Sequence, residues 1–301
     1  MSLQDLINGE LGVSFAKGLA KCLPEKVGFS LARSIANIIS KRESTAMVRC
    51  VRANQWLISN KQMAGKELDQ RVYDVFQSTA YCLFDLYHNI DSPKSLLKKV
   101  TITPKLKKIF DERENCGQGT LYLAPHLSNF DLAGRAITYS GYHMLVLSYP
   151  NPNKGYQMQN KMRKEYAIEV MPMSIESLRL GKQRLQEGKA IITGLDRPLE
   201  DSKYHPKFFG YPSMLPVTYV KLALQTHSPI VVVACISNGV GQYTVDSSDI
   251  IALDSYDDPV DEMERNAEKV LKQAETFIAA HPEQWSMFYP IWPWALDEMP
   301  Q

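Results

Sequence analysis

The sequence predicts an α/β fold, with a mostly parallel central sheet flanked by helices and an N-terminal helical segment ahead of it. Three observations lead there. From about Thr120, short apolar runs alternate with stretches of helical periodicity, the rhythm of strand–helix–strand crossovers. Residues 3–90 carry apolar positions at helical spacing. The 301 residues are 45% hydrophobic and 22% charged, enough for one large globular unit. The expected organisation is a helical segment over 1–90 and an α/β core over 91–301, forming one structural domain overall.

In "SLQDLINGELGVSFAKGLAKCLP", Leu3, Leu6, Ile7, Leu11, Phe15, Leu19 and Leu23 fall close to helical spacing, although three glycines weaken the helix. "PEKVGFSLARSIANIISKRE" begins on Pro24 and carries Val27, Leu31, Ile35 and Ile38/Ile39 on one face. "KELDQRVYDVFQSTAYCLFDLYHNI" is a third helix. The expected strands are Thr120–Pro125, Tyr142–Tyr149, Ile168–Pro172, Ala190–Leu195 and Pro229–Ile236. Between them lie expected helices Phe130–Ser140, Tyr156–Tyr166, Ile175–Glu187 and Pro216–Thr226, and a last helix spans about Val260–Ala280. The chain closes on an aromatic tail, "PEQWSMFYPIWPWALDEMP".

A net charge of +1 gives no sign of a nucleic-acid binder. The charge is segregated, however. Lys17, Lys21, Lys26, Arg33, Lys41, Arg42, Arg49 and Arg52 face only Asp5, Glu10, Glu25 and Glu43 in the first 53 residues. A second basic cluster runs from Lys94 to Lys108, and acids gather from Asp246 to Glu268. Such segregation fits either an anionic partner surface, lipid head groups included, or plain solvated faces. Cys22, Cys50, Cys82, Cys116 and Cys235 make no C-x-x-C pair and no metal-finger spacing. They read as small buried apolar residues in a reducing compartment. The acidic start "MSLQDLINGE" predicts no signal peptide, and no run of about 18 apolar residues predicts a spanning helix. No His/Cys/acid cluster with ligand spacing predicts a metal.

The stretch "LYLAPHLSNFDLAGRAITYSG" concentrates the chemistry. "LYLAP" is the strand, His126 sits in the turn, and the helix follows. Ser128 suits the N-cap, with Asp131 three residues on in a capping-box-like place. Asp131 then either caps a helix beside an ordinary loop histidine or pairs with His126. On one continuous helix the two would lie about 140° apart, five steps of roughly 100°. A strand–turn–helix folds them together. Asp131 would then bond one ring nitrogen and leave the other to take a proton, a dyad whose nucleophile is the hydroxyl of a bound substrate.

"HLSNFD" matches the H-x-x-x-x-D signature of the lysophospholipid acyltransferase superfamily. The chain resembles in particular the branch of lipid A late acyltransferases and phosphatidylinositol mannoside acyltransferases, where an Asn before an aromatic and an acid is usual, as in Asn129-Phe130-Asp131. "NKMRKEYAIEVMPM" resembles the block whose arginine, here Arg163, precedes a strand. "GKAIITGLDRP" resembles the block ending in Asp-Arg, here Asp196 and Arg197. "FFGYPSMLPVTYVKLALQTHSPIVVV" and "HPEQWSMF" resemble two later family segments. The likeness runs from about Leu19 to Pro290. Thr218 and His227 stand where the family often has glycine, which suggests a different substrate pocket.

The resemblance implies O-acyl transfer from an acyl thioester to a lipid hydroxyl. His126 would act as general base and Asp131 as its orienting partner, catalysis worth roughly 10²–10⁴-fold. Backbone N–H groups near Ser128 and Asn129, or an arginine, would meet the oxyanion. Asn129, Arg163, Asp196 and Arg197 are candidate substrate-binding residues. Arg163 and Arg197 are candidates for oxyanion or phosphate, against ordinary ion-pair arginines; Asp196 would pair with Arg197. No cofactor is implied beyond acyl-CoA or acyl-acyl carrier protein as co-substrate. The expected partners are a lipid acceptor, the acyl donor and the membrane surface, with no nucleic acid. The Arg-rich ending of many lipid A enzymes is missing after Trp285, which favours a less phosphorylated glycolipid or a phospholipid acceptor. The protein would sit on the cytoplasmic face of the cell membrane, the bacterial inner membrane, peripheral or monotopic. Residues 1–40 and the Trp292/Trp294 tail are candidate interfacial contacts. A non-catalytic lipid-binding protein on the same fold is the alternative. No G-x-S-x-G or well-placed G-x-G-x-x-G supports a serine hydrolase or a dinucleotide enzyme.

Overall fold

Strand β2 (Thr120–Ala124) is buried almost throughout because helices cover both faces of its sheet. Leu121 and Leu123 enter one core, and Tyr122 enters the other. The structure is a computed structural model that describes residues 17–150, 154–199 and 202–300. The other strands of the sheet are β1 (Val100–Ile102), β3 (Leu145–Ser148), β4 (Glu169–Pro172), β5 (Ala190–Gly194), β8 (Ile230–Ser237) and β9 (Tyr243–Ser247). Their spatial order is β1-β9-β8-β2-β5-β3-β4, and neighbours run parallel except β8 against β9. Strands β6 (Lys207–Phe208) and β7 (Tyr211–Pro212) form a separate small hairpin.

The helices are α1 (Glu25–Ser40), α2 (Ala46–Ile58), α3 (Gly65–Asn89), α4 (Pro93–Lys99), α5 (Pro104–Asn115), α6 (Phe130–Tyr139), α7 (Lys154–Glu165), α8 (Ile175–Gln186), α9 (Thr218–Thr226), α10 (Pro259–Ala280) and the short α11 (Ala295–Glu298). Every strand and helix expected from Thr120 onward is present within about three residues. Strands β1 and β9 were not anticipated, nor were the β6–β7 hairpin and helices α2, α4, α5 and α11. Helix α2 shows no one-sided stripe because it is buried nearly all round, including Arg52, Asn54 and Gln55. The helix expected over residues 3–23 lies largely outside the described residues, of which 17–22 are helical.

Three details differ from expectation. The apolar stripe of α1 faces outward: Val27 is 51%, Leu31 38%, Ile35 44% and Ile38 55% exposed. The helix packs instead through its small residues Gly28, Ala32 and Ala36, with the Phe84 ring of α3 filling the space a side chain at Gly28 would need. Trp292 is buried and stacks on Phe208 with ring centroids 5.7 Å apart, so the fold rather than a lipid surface holds it. His227 ends α9 in the left-handed conformation (φ 50°), the place where glycine is common, so a helix cap accounts for the glycine expected there.

Cys50, Cys82 and Cys235 are buried as expected, whereas Cys22 and Cys116 are exposed, and all five are unpaired. Among the described residues no helix is long and apolar enough to cross a membrane.

Candidate active site

The register of the sheet builds the centre of the site. Ala124 of β2 pairs with Gly194 of β5, so two parallel strands end level with each other. Two residues beyond each end stand His126 and Asp196. His126 Nδ1 lies 2.6 Å from Asp196 Oδ1. The backbone N–H of His126 and the indole N–H of Trp285 donate to Asp196 Oδ2 at 2.9 and 2.8 Å. The Asp196 side chain has no exposed surface, while that of His126 is 23% exposed. Burial alone would push the Asp196 carboxyl up. The electrostatic attraction of the His126 ring and the three hydrogen bonds outweigh that and hold it below the usual carboxylate range. A carboxylate fixed this way accepts from Nδ1–H and assigns the ring its tautomer, which leaves Nε2 as a lone-pair base. The ring lies along the cavity wall. Gly194 makes the seat: a Cβ there would be 3.2 Å from His126 Cε1.

Asp131 therefore has a different partner from the one expected. It lies in the first turn of α6 and accepts from Arg163 Nε at 2.7 Å. Arg163 is buried; that would lower its pKa, but the Asp131 charge and hydrogen bond raise it above its usual value, so the guanidinium stays charged. Arg163 also donates to Asn160 Oδ1, and Asn160 donates to Ser148 Oγ, joining α7 to the end of β3. Asp196, expected to pair with Arg197 or touch substrate, lies instead beneath His126.

Asn129, another candidate substrate contact, faces into the protein. Its Oδ1 accepts from Leu132 N and its Nδ2 donates to Cys82 O, so it is the N-cap of α6 in place of Ser128. Ser128 takes a left-handed backbone (φ 50°), and its N–H donates to Gln284 O. That bond removes it from the expected oxyanion donors. Ser286 N donates to His126 O, and Leu127 forms an antiparallel bridge with Trp285. Asn54 of α2 holds this C-terminal strip in turn, donating to Met287 O and Tyr289 O and accepting from Ile291 N.

His126, Asp131, Arg163 and Arg197 all line one cavity of about 190 Å³, whose remaining wall is mostly apolar. Thr218 borders it too. Arg197 sits at a ring of tyrosines: its guanidinium carbon is 3.6 Å from the Tyr149 centroid, 4.3 Å from Tyr289 and 5.6 Å from Tyr156. It donates to the Tyr289 hydroxyl, and no carboxylate among the described residues pairs with it. The two arginines thus differ: Arg163 is ion-paired with Asp131, whereas Arg197 packs among aromatic rings. Sequence reasoning missed the tyrosines, Gly194 and the contact of Trp285 with Asp196. The last two lie in quoted motifs, but which residues they touch depends on strand pairing.

A family model described as bacterial lipid A biosynthesis acyltransferase matches residues 6–293. The chain is 26% identical over 187 residues to a phosphatidylinositol mannoside acyltransferase of Mycobacterium tuberculosis (strain H37Rv), covering 58% of this chain and 55% of that protein. It is 23% identical over 189 residues to the protein of the same name from Mycolicibacterium smegmatis, covering 59% and 58%. The matched region thus spans little more than half the length of these curated relatives.

Proposed function

The chain belongs to the bacterial lipid A biosynthesis acyltransferase family, and from that premise we propose that it is a membrane-associated O-acyltransferase moving a fatty acyl group from an acyl thioester to a hydroxyl of a glycolipid or phospholipid. The observation that carries this reading is His126, held at Nδ1 by buried Asp196 and lining a mostly apolar cavity.

Nε2 takes the proton of the acceptor hydroxyl as that oxygen attacks the thioester carbonyl. The tetrahedral intermediate collapses, the C–S bond breaks, and the thiolate leaves with the proton returned from His126. Asp196 orients the ring and offsets its transient positive charge. Asp131 acts through Arg163, fixing it at the cavity wall. The backbone N–H groups of Phe130 and Asp131, in the first turn of α6, have no intrahelical acceptor and border the cavity, which makes them candidates for the oxyanion. Arg197 binds a phosphate of the donor or of the acceptor. The apolar wall takes the acyl chain.

The outward stripe Val27, Leu31, Ile35 and Ile38, with exposed Lys26, Lys41 and Arg42 nearby, supports interfacial docking of α1. A two-chain acceptor stays in the bilayer because each buried CH₂ holds it by about 0.8 kcal/mol, so the enzyme goes to the lipid. The cytoplasmic face is part of this reading, since acyl-CoA and acyl carrier protein are soluble donors.

The test is thiol release from a long-chain acyl-CoA in detergent, with and without a panel of lipid acceptors, for wild type and His126→Ala. Acceptor-dependent release that falls at least about 10²-fold in the variant is expected. Equal release from both proteins, with acyl-CoA and with acyl carrier protein donors alike, would leave a lipid-binding protein.

A further inference from the structure

Helix α6 lays Gly134 one turn beyond Asp131, on the cavity wall. Nothing local requires a glycine there. Its backbone is helical, and a Cβ built on it meets no atom within 4 Å. This sets it apart from Gly119 and Gly188, where an added Cβ would run into backbone at 2.1 and 2.3 Å. A glycine inside a helix is less stable than alanine at the same place. What the missing side chain leaves is space, and that space belongs to the cavity.

The layer at Gly134 lies deeper than the chemistry. Gly194 sits beneath the His126 ring, and Ile192 is two residues back along β5. Val146 of β3 is registered with Ile192, and Ile168 stands just before β4. Two residues of strand cover roughly 6–7 Å. Val146 and Ile192 therefore form an apolar level below the catalytic one, Ile168 continues the wall about two residues deeper, and Gly134 lines the same cavity from α6.

We propose that Gly134 sets how deeply an acyl chain can seat, and so which donor chain lengths the protein accepts. This rests on the acyl-transfer reading: the thioester carbonyl lies at His126, and the hydrocarbon descends past Gly134. A side chain at 134 would fill the passage for chains that reach this level and leave chains that end above it. Steric discrimination in an apolar pocket runs to about 10–200-fold for a single methylene.

Two measurements on the full chain test it. The first is acceptor-dependent kcat/KM across saturated acyl-CoA donors of increasing length, for wild type, Gly134→Ala and Gly134→Leu. The expected result is a ratio of long-donor to short-donor activity that falls at least about 10-fold in Gly134→Leu, with Gly134→Ala between it and wild type. The second is displacement of a fluorescent fatty acid by saturated fatty acids of the same lengths, which needs no turnover. Long chains are expected to lose affinity in Gly134→Leu relative to short ones. A selective loss in binding by a protein that transfers nothing keeps this assignment and removes the transferase reading. A loss equal at all lengths, or an unchanged profile in a variant with native melting behaviour, overturns the assignment.

Discussion

Asp196 Oδ1 lies 2.6 Å from His126 Nδ1, and each residue stands two positions past the end of a strand, where Ala124 pairs with Gly194. The histidine's partner is thus supplied by the neighbouring strand, 70 residues away, and Asp131 is left to hold Arg163.

The two aspartates should separate experimentally. Asp196→Asn removes the charge that fixes the tautomer, so acceptor-dependent kcat should fall by roughly 10²–10⁴-fold. Asp131→Asn leaves Arg163 buried without its countercharge and should cost about 3 kcal/mol of stability, the low end for a broken buried pair because Asp131 keeps some exposure. Thermal melts beside steady-state kinetics give the comparison. A larger kcat loss in Asp131→Asn, with an unchanged melting temperature, would restore the local dyad.

Acid stability should carry the signature of Asp196. Its folded carboxyl is held below the usual value, so its contribution is complete above the unfolded aspartate pKa of about 3.9 and is lost as pH falls from there through the folded value. Urea midpoints for wild type should decline through that acid window. Asp196→Asn should decline less over the same window, and parallel curves would count against the pairing.

Thiol chemistry reads the burial pattern directly. Burial pushes the Cys82 thiol up to about 12, and it also raises Cys50 and Cys235. Alkylation near neutral pH followed by mass spectrometry should modify Cys22 and Cys116 in the native protein and all five cysteines in denaturant. Rapid native labelling of Cys82 would mean that the core behind Ser128 opens.

The outward stripe of α1 makes a prediction about membranes. Leu31→Asp with Ile38→Asp alters side chains already 38% and 55% exposed, so stability should shift by only about 0.5 kcal/mol. Sedimentation with anionic vesicles should drop about 10-fold or more, since each side chain contributes up to roughly 1.5–3 kcal/mol when fully buried in an apolar phase. Unchanged co-sedimentation would remove α1 from the docking surface.

At the end of α9 the left-handed backbone of His227 costs an L-residue about 1–2 kcal/mol, and glycine gives back roughly 0.5–1 through its unfolded-state freedom. His227→Gly should therefore raise stability by about 0.5–1 kcal/mol without changing activity, as chemical denaturation and the thiol assay would record. Lost activity would mean that the imidazole does more than end a helix.

The alternation after Thr120 was legible because strands covered on both faces leave continuous apolar runs, and helices between them keep a one-sided stripe. The place of His126 in the turn after β2 was legible from its motif. Its partner was not, because strand order is a tertiary fact: nothing local to Pro125 or Leu195 says that β2 lies beside β5. The spacing of "HLSNFD" points to a nearby carboxylate, and the structure gives that carboxylate to α7. Arg197 and its tyrosines come from separate stretches of chain at positions 149, 156, 197 and 289, so no window of sequence contains them. Trp292 shows the reverse error. An aromatic tail suggests an amphipathic anchor, yet the Phe208 ring supplied by β6 takes the indole into the core.

The strip from Gln284 to Ser286 closes over the histidine turn, and Trp285 completes the hydrogen bonds on Asp196. A ribosome makes both strand ends long before it makes that tryptophan. Until then the nascent chain holds His126 and Asp196 without the segment that locks them, while α1, with its outward apolar stripe, has already emerged. On the proposed reading, docking of α1 on lipid can therefore precede competence for chemistry, which waits for the synthesis of Trp285.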